Sequence, residues 1–532
     1  MKKSLLTSIA TLLVATTFSQ RTVYVDIDAT GTDNGTSWAN AYNDPQDAFN
    51  NSNRGDNIWI AEGTYTQQSA IRSHTFAWGR DSVSVYGGFD GTETTLNQRD
   101  WENNPTIFSG EIQGDNDSTN NSYTVFAGPF GSSSTNKITH SLIDGITISD
   151  GYAVTNTTLF TTRWGAGFYL QDYVRNLTIN NCIFKNNTAQ GAAAMYVSAN
   201  ADSSDVFVTN TKFIGNKSTF ASCIWAQASS FKPLNFRIIN CLFTDNINNN
   251  YGGVQTGGLF YFNSNGIQAN LIVSVVNSTI TNNSDNVTSN TNGQLIMINK
   301  SHSSQSNAVL EVGNCILYNN SGFARTTKKY NSSSYIFTSA GFVRCISDIN
   351  FYATNTIRDS VYNHDPLFTN PSTGDFTLQS TSPAIDSGTT GSVTLPTNDL
   401  AGLPRIKGTA IDLGCYEYQT ITVGVRENKE FASLNLFPNP TTGSVTFESK
   451  EEIETIEIFS LDLTFSSLIP LLMASASGAV TSIFLQGNDY LFHYKYIAPF
   501  NVADVPFYLF LGVLTAFASA YFNKVYFFIE KY

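Results

Sequence analysis

Through the middle of the chain, apolar and polar positions alternate in short bursts. VFVTN, FRIIN, VSVVN and VLEVGN each carry apolar side chains at every second position. A period of two predicts a strand with one face buried. Every burst runs into a recurring phrase: NCIFKNN at Asn181, NTKFIGN at Asn210, NCLFTDN at Asn240, NSTITNN at Asn277 and NCILYNN at Asn314. A second apolar strand follows each copy, as AAMYV, CIW, GLFYF, QLIMI and SYIF. The copies start 29, 30, 37 and 37 residues apart, a range that marks a solenoid. The longer periods have a local cause: the gap before the second strand grows, as in NNNYGGVQTGG.

Strands that recur without helices between them must stack coil on coil, about 4.8 Å apart. The second position of the phrase then forms a column of Cys182, Thr211, Cys241, Ser278 and Cys315. Its cysteines sit two coils apart, roughly 9.6 Å by that spacing, which is beyond disulfide reach. They are predicted to be buried thiols. Cys223, Cys345 and Cys415 are left open. The columns led by Asn181, Asn210, Asn240, Asn277 and Asn314 predict amide ladders that bond along the stack and satisfy the corner backbone, rather than a ligand site.

Composition narrows the function classes. Only 13% of residues are charged and 41% are hydrophobic, with a net charge of -13. An acidic surface argues against nucleic acid as a partner, because phosphate binding needs a basic face. Abundant Gly and Asn suit a turn-rich, mainly β protein. The first residues, MKKSLLTSIATLLVATTFSQ, have the basic start, short apolar run and small residues of a secretory signal, so residues 1–19 are expected to be removed before Gln20. The short apolar run distinguishes it from a membrane span, and the lack of a following Cys argues against a lipid anchor.

Candidate chemistry is sparse. A lyase on such a scaffold needs a Lys or Arg base with clustered acids, and a glycosidase needs paired carboxylates. Three residues before each repeat Asn runs an outward ladder of Thr178, Phe207, Arg237, Ser274 and Glu311. Arg237 and Glu311 are its only charges, two coils apart, with no acid cluster expected beside them. No catalytic residue is therefore assigned. His74, His140, His302 and His364 lie outside the repeat phrase with no metal spacing. Asp26, Asp28 and Asp33, near Gly31 and Gly35, admit calcium as the one candidate cofactor. They lack the full loop spacing and terminal Glu of a calcium loop, and turn-forming Asp accounts for them equally well.

The repeats resemble the right-handed parallel β-helix of the pectin-lyase-like superfamily. TVYVDIDATGTDNGTSWANAYNDPQDAFN, then GDNIWIAEGTY, is similar to the start of bacterial surface β-helix proteins, which implies a capping helix over 39–50 and a first coil after it. VYGGFDGTETTLNQRDW and LIDGITISDGYA match the same group. SPAIDSG and IDLGCYEY resemble the choice-of-anchor module that ends such helices. The resemblance covers about residues 22–419 and implies a fold and a surface location. It does not imply one activity, since this fold hosts lyases, hydrolases, adhesins and binding proteins.

NLFPNPTTGSVTFESKEEIETIEIFSL resembles the start of the type A sorting domain of the type IX secretion system of Bacteroidetes, a small β-sandwich. Here the resemblance stops near Leu461, before the later strands. From Leu463 the composition changes. Residues 463–485 carry no charge and are long enough to span a bilayer, and 505–529 form a second apolar stretch. FSSLIPLLMASASGAVTSIFLQGNDYLFHYKYIAPFNVADVPFYLFLGVLTAFASAYFNKVYFFIEKY resembles an internal piece of the CLC chloride channel family. That family's GSGIP, GREGP and GxFxP phrases at helix N-termini are absent, so this segment alone is not expected to make a pore.

The expected fold class is therefore mainly β. Its parts are a signal (1–19), a right-handed parallel β-helix (22–380), an end module (381–419), a linker (420–434), a truncated β-sandwich (435–462) and two hydrophobic α-helices (463–532). The break near 462 reads as a junction between unrelated coding sequences, made by rearrangement or by an assembly or gene-calling error. The expected function is a secreted or cell-surface protein that binds glycan or extracellular matrix without catalysis. Its expected partners are carbohydrate or matrix, the type IX secretion machinery and, through the tail, a membrane. A polysaccharide lyase or hydrolase and a chloride channel are the alternatives.

Overall fold

A computed structural model describes residues 20–419 apart from stretches at 68, 129–137, 156–161, 172–173, 200–202, 250–257, 287–293, 301–305, 322–324, 330–338, 350–355 and 391–394, together with 435–437 and 446–448. Contacts divide the chain into Met1–Val423 and Gly424–Tyr532.

In the first unit a full coil holds four strands, here called positions a to d. One coil runs Val174–Asn180, Ile183–Lys185, Thr188–Ala189 and Met195–Ala199. The next runs Ser204–Thr209, Lys212–Ile214, Lys217–Ser218 and Ile224–Ser229. Each strand pairs in parallel with its counterpart one coil on, in the register that the repeat spacing sets. Parallel pairing of every strand with the next coil makes a parallel β-helix. Positions a and b join one long sheet, c forms a second of five strands and d a third of eight.

The phrase builds the two corners around position b. The chain turns between a and b at Asn181, Asn210, Asn240, Asn277 and Asn314, all with φ between 46° and 58°. It turns again between b and c at Asn186, Gly215, Asp245, Asn282 and Asn319, with φ between 56° and 67°. Asn and Asp tolerate this left-handed geometry better than other side chains, and Gly adopts it freely. The residue midway between the corners points inward. Phe184, Phe213 and Phe243 thus stack inside the coils at centroid spacings of 5.0 and 4.6 Å. Ile280 and Leu317 continue the column. Burying each such side chain contributes roughly 1.5–3 kcal/mol.

Strand Thr22–Val25 pairs with Asn57–Ala61, so stacking begins one strand before the expected first coil. The expected cap over 39–50 is shorter and later. Its helix is Pro45–Asn51, preceded by a single 3-10 turn at Trp38–Asn40. Asp44 caps the helix by accepting from the Gln46 N–H at 2.8 Å, and Pro45 presets the first turn. Phe49 then reaches into the core against Phe108 and Phe126.

At the other end the last parallel strand is Thr356–Tyr362. An antiparallel hairpin, Phe368–Asn370 with Asp375–Leu378, follows. It shares a core with Leu400, Leu413 and Cys415 that covers the outward residues Leu242, Ile316 and Ile346 of position b. The strand that continues position d after Gln294–Lys300 is Arg325–Lys329. SYIF, expected in that role, lies outside the described residues.

In the second unit, Asn435–Phe437 and Thr446–Glu448 form an antiparallel pair. The two predicted tail helices, the remaining sandwich strands and the signal segment lie outside the described residues. Among the described residues no helix is long and apolar enough to cross a membrane.

Candidate functional site

The outward ladder falls in one register column: Thr178 beside Phe207, Arg237, Ser274 and Glu311 in turn. A single acid accompanies Arg237: Asp205, on the preceding coil, sits 3.7 Å from its guanidinium. Asn235 donates to the same carboxylate at 2.9 Å, and the guanidinium lies 4.9 Å from the Phe207 ring centroid. Arg237 is thus neutralised and stacked. The pair is half-buried, so its energy is modest. Glu311 is exposed, and the column continues into Gly341.

Position d carries a feature that the sequence analysis missed. Tyr169, Tyr196, Trp225 and Tyr261 point outward on four successive coils. Their rings follow one another at 5.0, 5.4 and 5.0 Å. Trp164 and Phe220 close over this column, at 4.4 Å from Trp225 and 4.6 Å from Tyr261. Two residues further along the later strands runs an amide column. Asn299 donates to Asn263 at 3.0 Å, and Asn263 to Gln227 at 3.1 Å. The signal was present in the alternation of AAMYV and GLFYF. The aromatic column is buried in this structure, so its chemistry is that of a second core pinning the c–d corner.

The lead Asn column has a direction. Asn240 donates to Asn210 at 2.6 Å, Asn210 to Asn180 at 2.9 Å, and Asn180 to Asp144 at 2.8 Å. Asp144 is also held by Asn181 and by the buried Arg99 guanidinium at 2.8 Å. At the far end Arg405, from the end module, donates to Asn240 at 3.3 Å. The expected column therefore runs through Asn180 instead of Asn181. Beyond Asn240, Asn277 and Asn314 also tie to the module, donating to the carbonyls of Asp412 and Thr389.

The continuous ladder belongs to the last Asn of each phrase. Asn187, Asn216, Asn246, Asn283 and Asn320 are buried, and each donates to the next at 2.9–3.1 Å. The carbonyl oxygen of each later amide also receives the backbone N–H of the residue before it in the ladder.

Around Arg405, three buried carboxylates hold backbone N–H groups. Asp399 accepts from Ala401, Leu403 and Glu417, Asp412 from Asp386 and Tyr418, and Glu417 from Lys407 and Asp412. Burial pushes the Glu417 carboxyl up to about 7.

All six cysteines are buried and free, as predicted for Cys182, Cys241 and Cys315 and now resolved for Cys223, Cys345 and Cys415. Burial raises the Cys182 thiol to about 12 and Cys415 to about 11, the wrong direction for a nucleophile. Asp26 accepts from the Asp28 N–H, the bond of a turn former, and Asp33 accepts from the Asn43 N–H, ten residues on. Among the described residues no three His, Cys, Asp or Glu gather as metal ligands. His140 meets Asn176 at 3.0 Å and His364 stacks on Tyr362, while His302 lies outside the described residues.

Comparison with known proteins adds two findings. The family described as voltage gated chloride channel matches residues 453–532. That match starts ten residues before the compositional break at Leu463. The crystal structure of pectate lyase Pel9A is similar to this chain with a TM-score of 0.39 and 14% identity, covering 75% of this chain and 97% of that one. No curated protein matches the chain.

Proposed function

We propose that the β-helix is an exported surface module that binds carbohydrate or matrix polymers without cleaving them. The observation that carries this is the state of Arg237. It is the one base in the outward column, and it is ion-paired with Asp205 and laid on Phe207. A general base must be free to take a proton, whereas a paired, stacked guanidinium is a binding group. Ser274 is its register neighbour on the next coil, and Asn235 shares its Asp205 partner. A polymer lying along the axis passes a new coil about every 4.8 Å and meets a different side chain of this column at each.

The test is co-sedimentation of the full-length chain with neutral and uronic-acid polysaccharides, followed by sizing of the polymer. Binding with unchanged polymer length is expected. Shortened polymer means a lyase or hydrolase and overturns the proposal, as does failure to bind any polymer.

The secretory signal and the partial type IX sorting sequence support surface export. The tail reads as a membrane segment that arrests export at the inner membrane. Full-length chain on the cell surface refutes that arrest, and anion flux through the purified chain refutes a non-conducting tail.

A further inference from the structure

The antiparallel hairpin Phe368–Leu378 crosses position b of two coils and leaves a pocket of about 190 Å³. At roughly 30 Å³ per water this is the space of about six waters, suited to one sugar ring and not to a polymer. Its inner wall is Thr281, nearly fully buried, whose hydroxyl has no hydrogen-bond partner among the described residues. Two aromatic rings flank it, Tyr318 from the next coil and the buried Phe368 from the hairpin.

The mouth is rich in acceptors. Asp365 uses one carboxylate oxygen on the Leu367 N–H at 2.9 Å, and the other is uncommitted among the described residues. Gln379 gives its amide N–H to the Phe368 carbonyl at 2.8 Å, which leaves its own carbonyl to accept. Asn319 donates to Asn282 at 2.7 Å, so this corner also offers one amide carbonyl and one amide N–H. A fitting ligand donates several hydrogen bonds from adjacent hydroxyls and lays an apolar face on an aromatic ring. Asp365, together with Asp348 bonded to the Asn319 N–H at 2.7 Å, disfavours an anion.

We propose that this pocket binds a single neutral pyranose, as the terminal residue of a glycan. The proposal rests on the carbohydrate-binding reading above but assigns a separate site to it.

The test is saturation-transfer NMR on the full-length chain with the methyl glycosides of glucose, galactose, mannose and xylose, and with methyl glucuronide. At least one neutral glycoside is expected to show transfer, and the glucuronide none. Gln379→Ala and Asp365→Ala are exposed changes expected to weaken binding about tenfold, as for one lost hydrogen bond. Asp365→Asn is expected to admit the glucuronide. Transfer to no neutral glycoside overturns the proposal. So does glucuronide binding equal to the neutral sugars, or variants that bind like the parent chain. If the parent chain still co-sediments with polymer while giving no glycoside transfer, the pocket fails and the surface reading stands.

Discussion

Replacing Asn246 by Ala removes the middle link of the buried amide ladder. Its side chain donates to Asn283 at 2.9 Å and to the carbonyls of Phe213 and Thr244 at 2.9 and 3.0 Å. It accepts from both the backbone and side-chain N–H of Asn216 at 2.9 Å. Alanine supplies none of these. The Asn216 backbone N–H loses its partner at a site with no solvent exposure, while the Phe213 carbonyl loses one of two bonds and keeps its place in the sheet pairing. A stranded buried group costs about 1–3 kcal/mol, and the change is worth at least that. In a stack where each coil contacts only its neighbours, the damage is local. Hydrogen exchange with peptide-level readout is the assay. Peptides from 204–218 and 234–248 are expected to exchange faster, while those from 20–66 keep their protection. Asn246→Asp is expected to be worse than Ala, because a carboxylate faces three acceptors. If Asn246→Ala leaves exchange in those coils unchanged, the ladder does not hold the corner and the reasoning fails.

Arg405→Leu leaves the buried carboxylates of Asp399, Asp412 and Glu417 without their cation and is expected to cost about 3–5 kcal/mol, seen as proteolysis within 367–418 before the coils are cut. The Glu417 carboxyl is raised from 4.5 to about 7 by burial, so the folded state holds its proton more tightly than the unfolded one. Stability is therefore expected to fall as pH rises from about 4.5 to about 7, by at most about 3 kcal/mol, with Glu417→Gln flattening the thermal-melt profile. All six thiols are expected to resist a maleimide in the native chain and to react once it is unfolded, with labelling counted by mass; rapid native labelling refutes their burial. Arg237→Ala is expected to change thermal stability by less than about 1 kcal/mol, because its ion pair is half-exposed.

The register of the stack could be read from five copies of one phrase, because pairing in a solenoid links residues one period apart. The inward column of Phe184, Phe213 and Phe243 and the outward column of Arg237 both follow from that period. Asp205 escaped because only one outward position was stacked; it lies on the neighbouring coil two residues earlier along the strand, where it pairs with Asn235. The role of Arg405 could not be read, since it bonds a residue 165 positions away and no periodicity connects the end module to the corner it grips. The pocket beside Tyr318 was hidden for the same reason: half its wall comes from the hairpin that folds back. The apolar residues Leu242, Ile316 and Ile346 were the available clue, because an outward apolar side chain in such a stack calls for a cover.

The one-way run of amides from Arg405 through Asn240, Asn210 and Asn180 to Asp144 bears on how such a molecule changes length over evolution. Each link takes a proton donor from one side and passes one to the other, so the Asn240–Asn210 link, between equivalent corner positions, can be repeated. A coil duplicated between Asn210 and Asn240 lengthens the wire by one unit and leaves both terminal cations correctly matched. The reach of the surface is thereby uncoupled from the fit of its two ends, and gene slippage in this stretch yields a longer rod instead of a broken one.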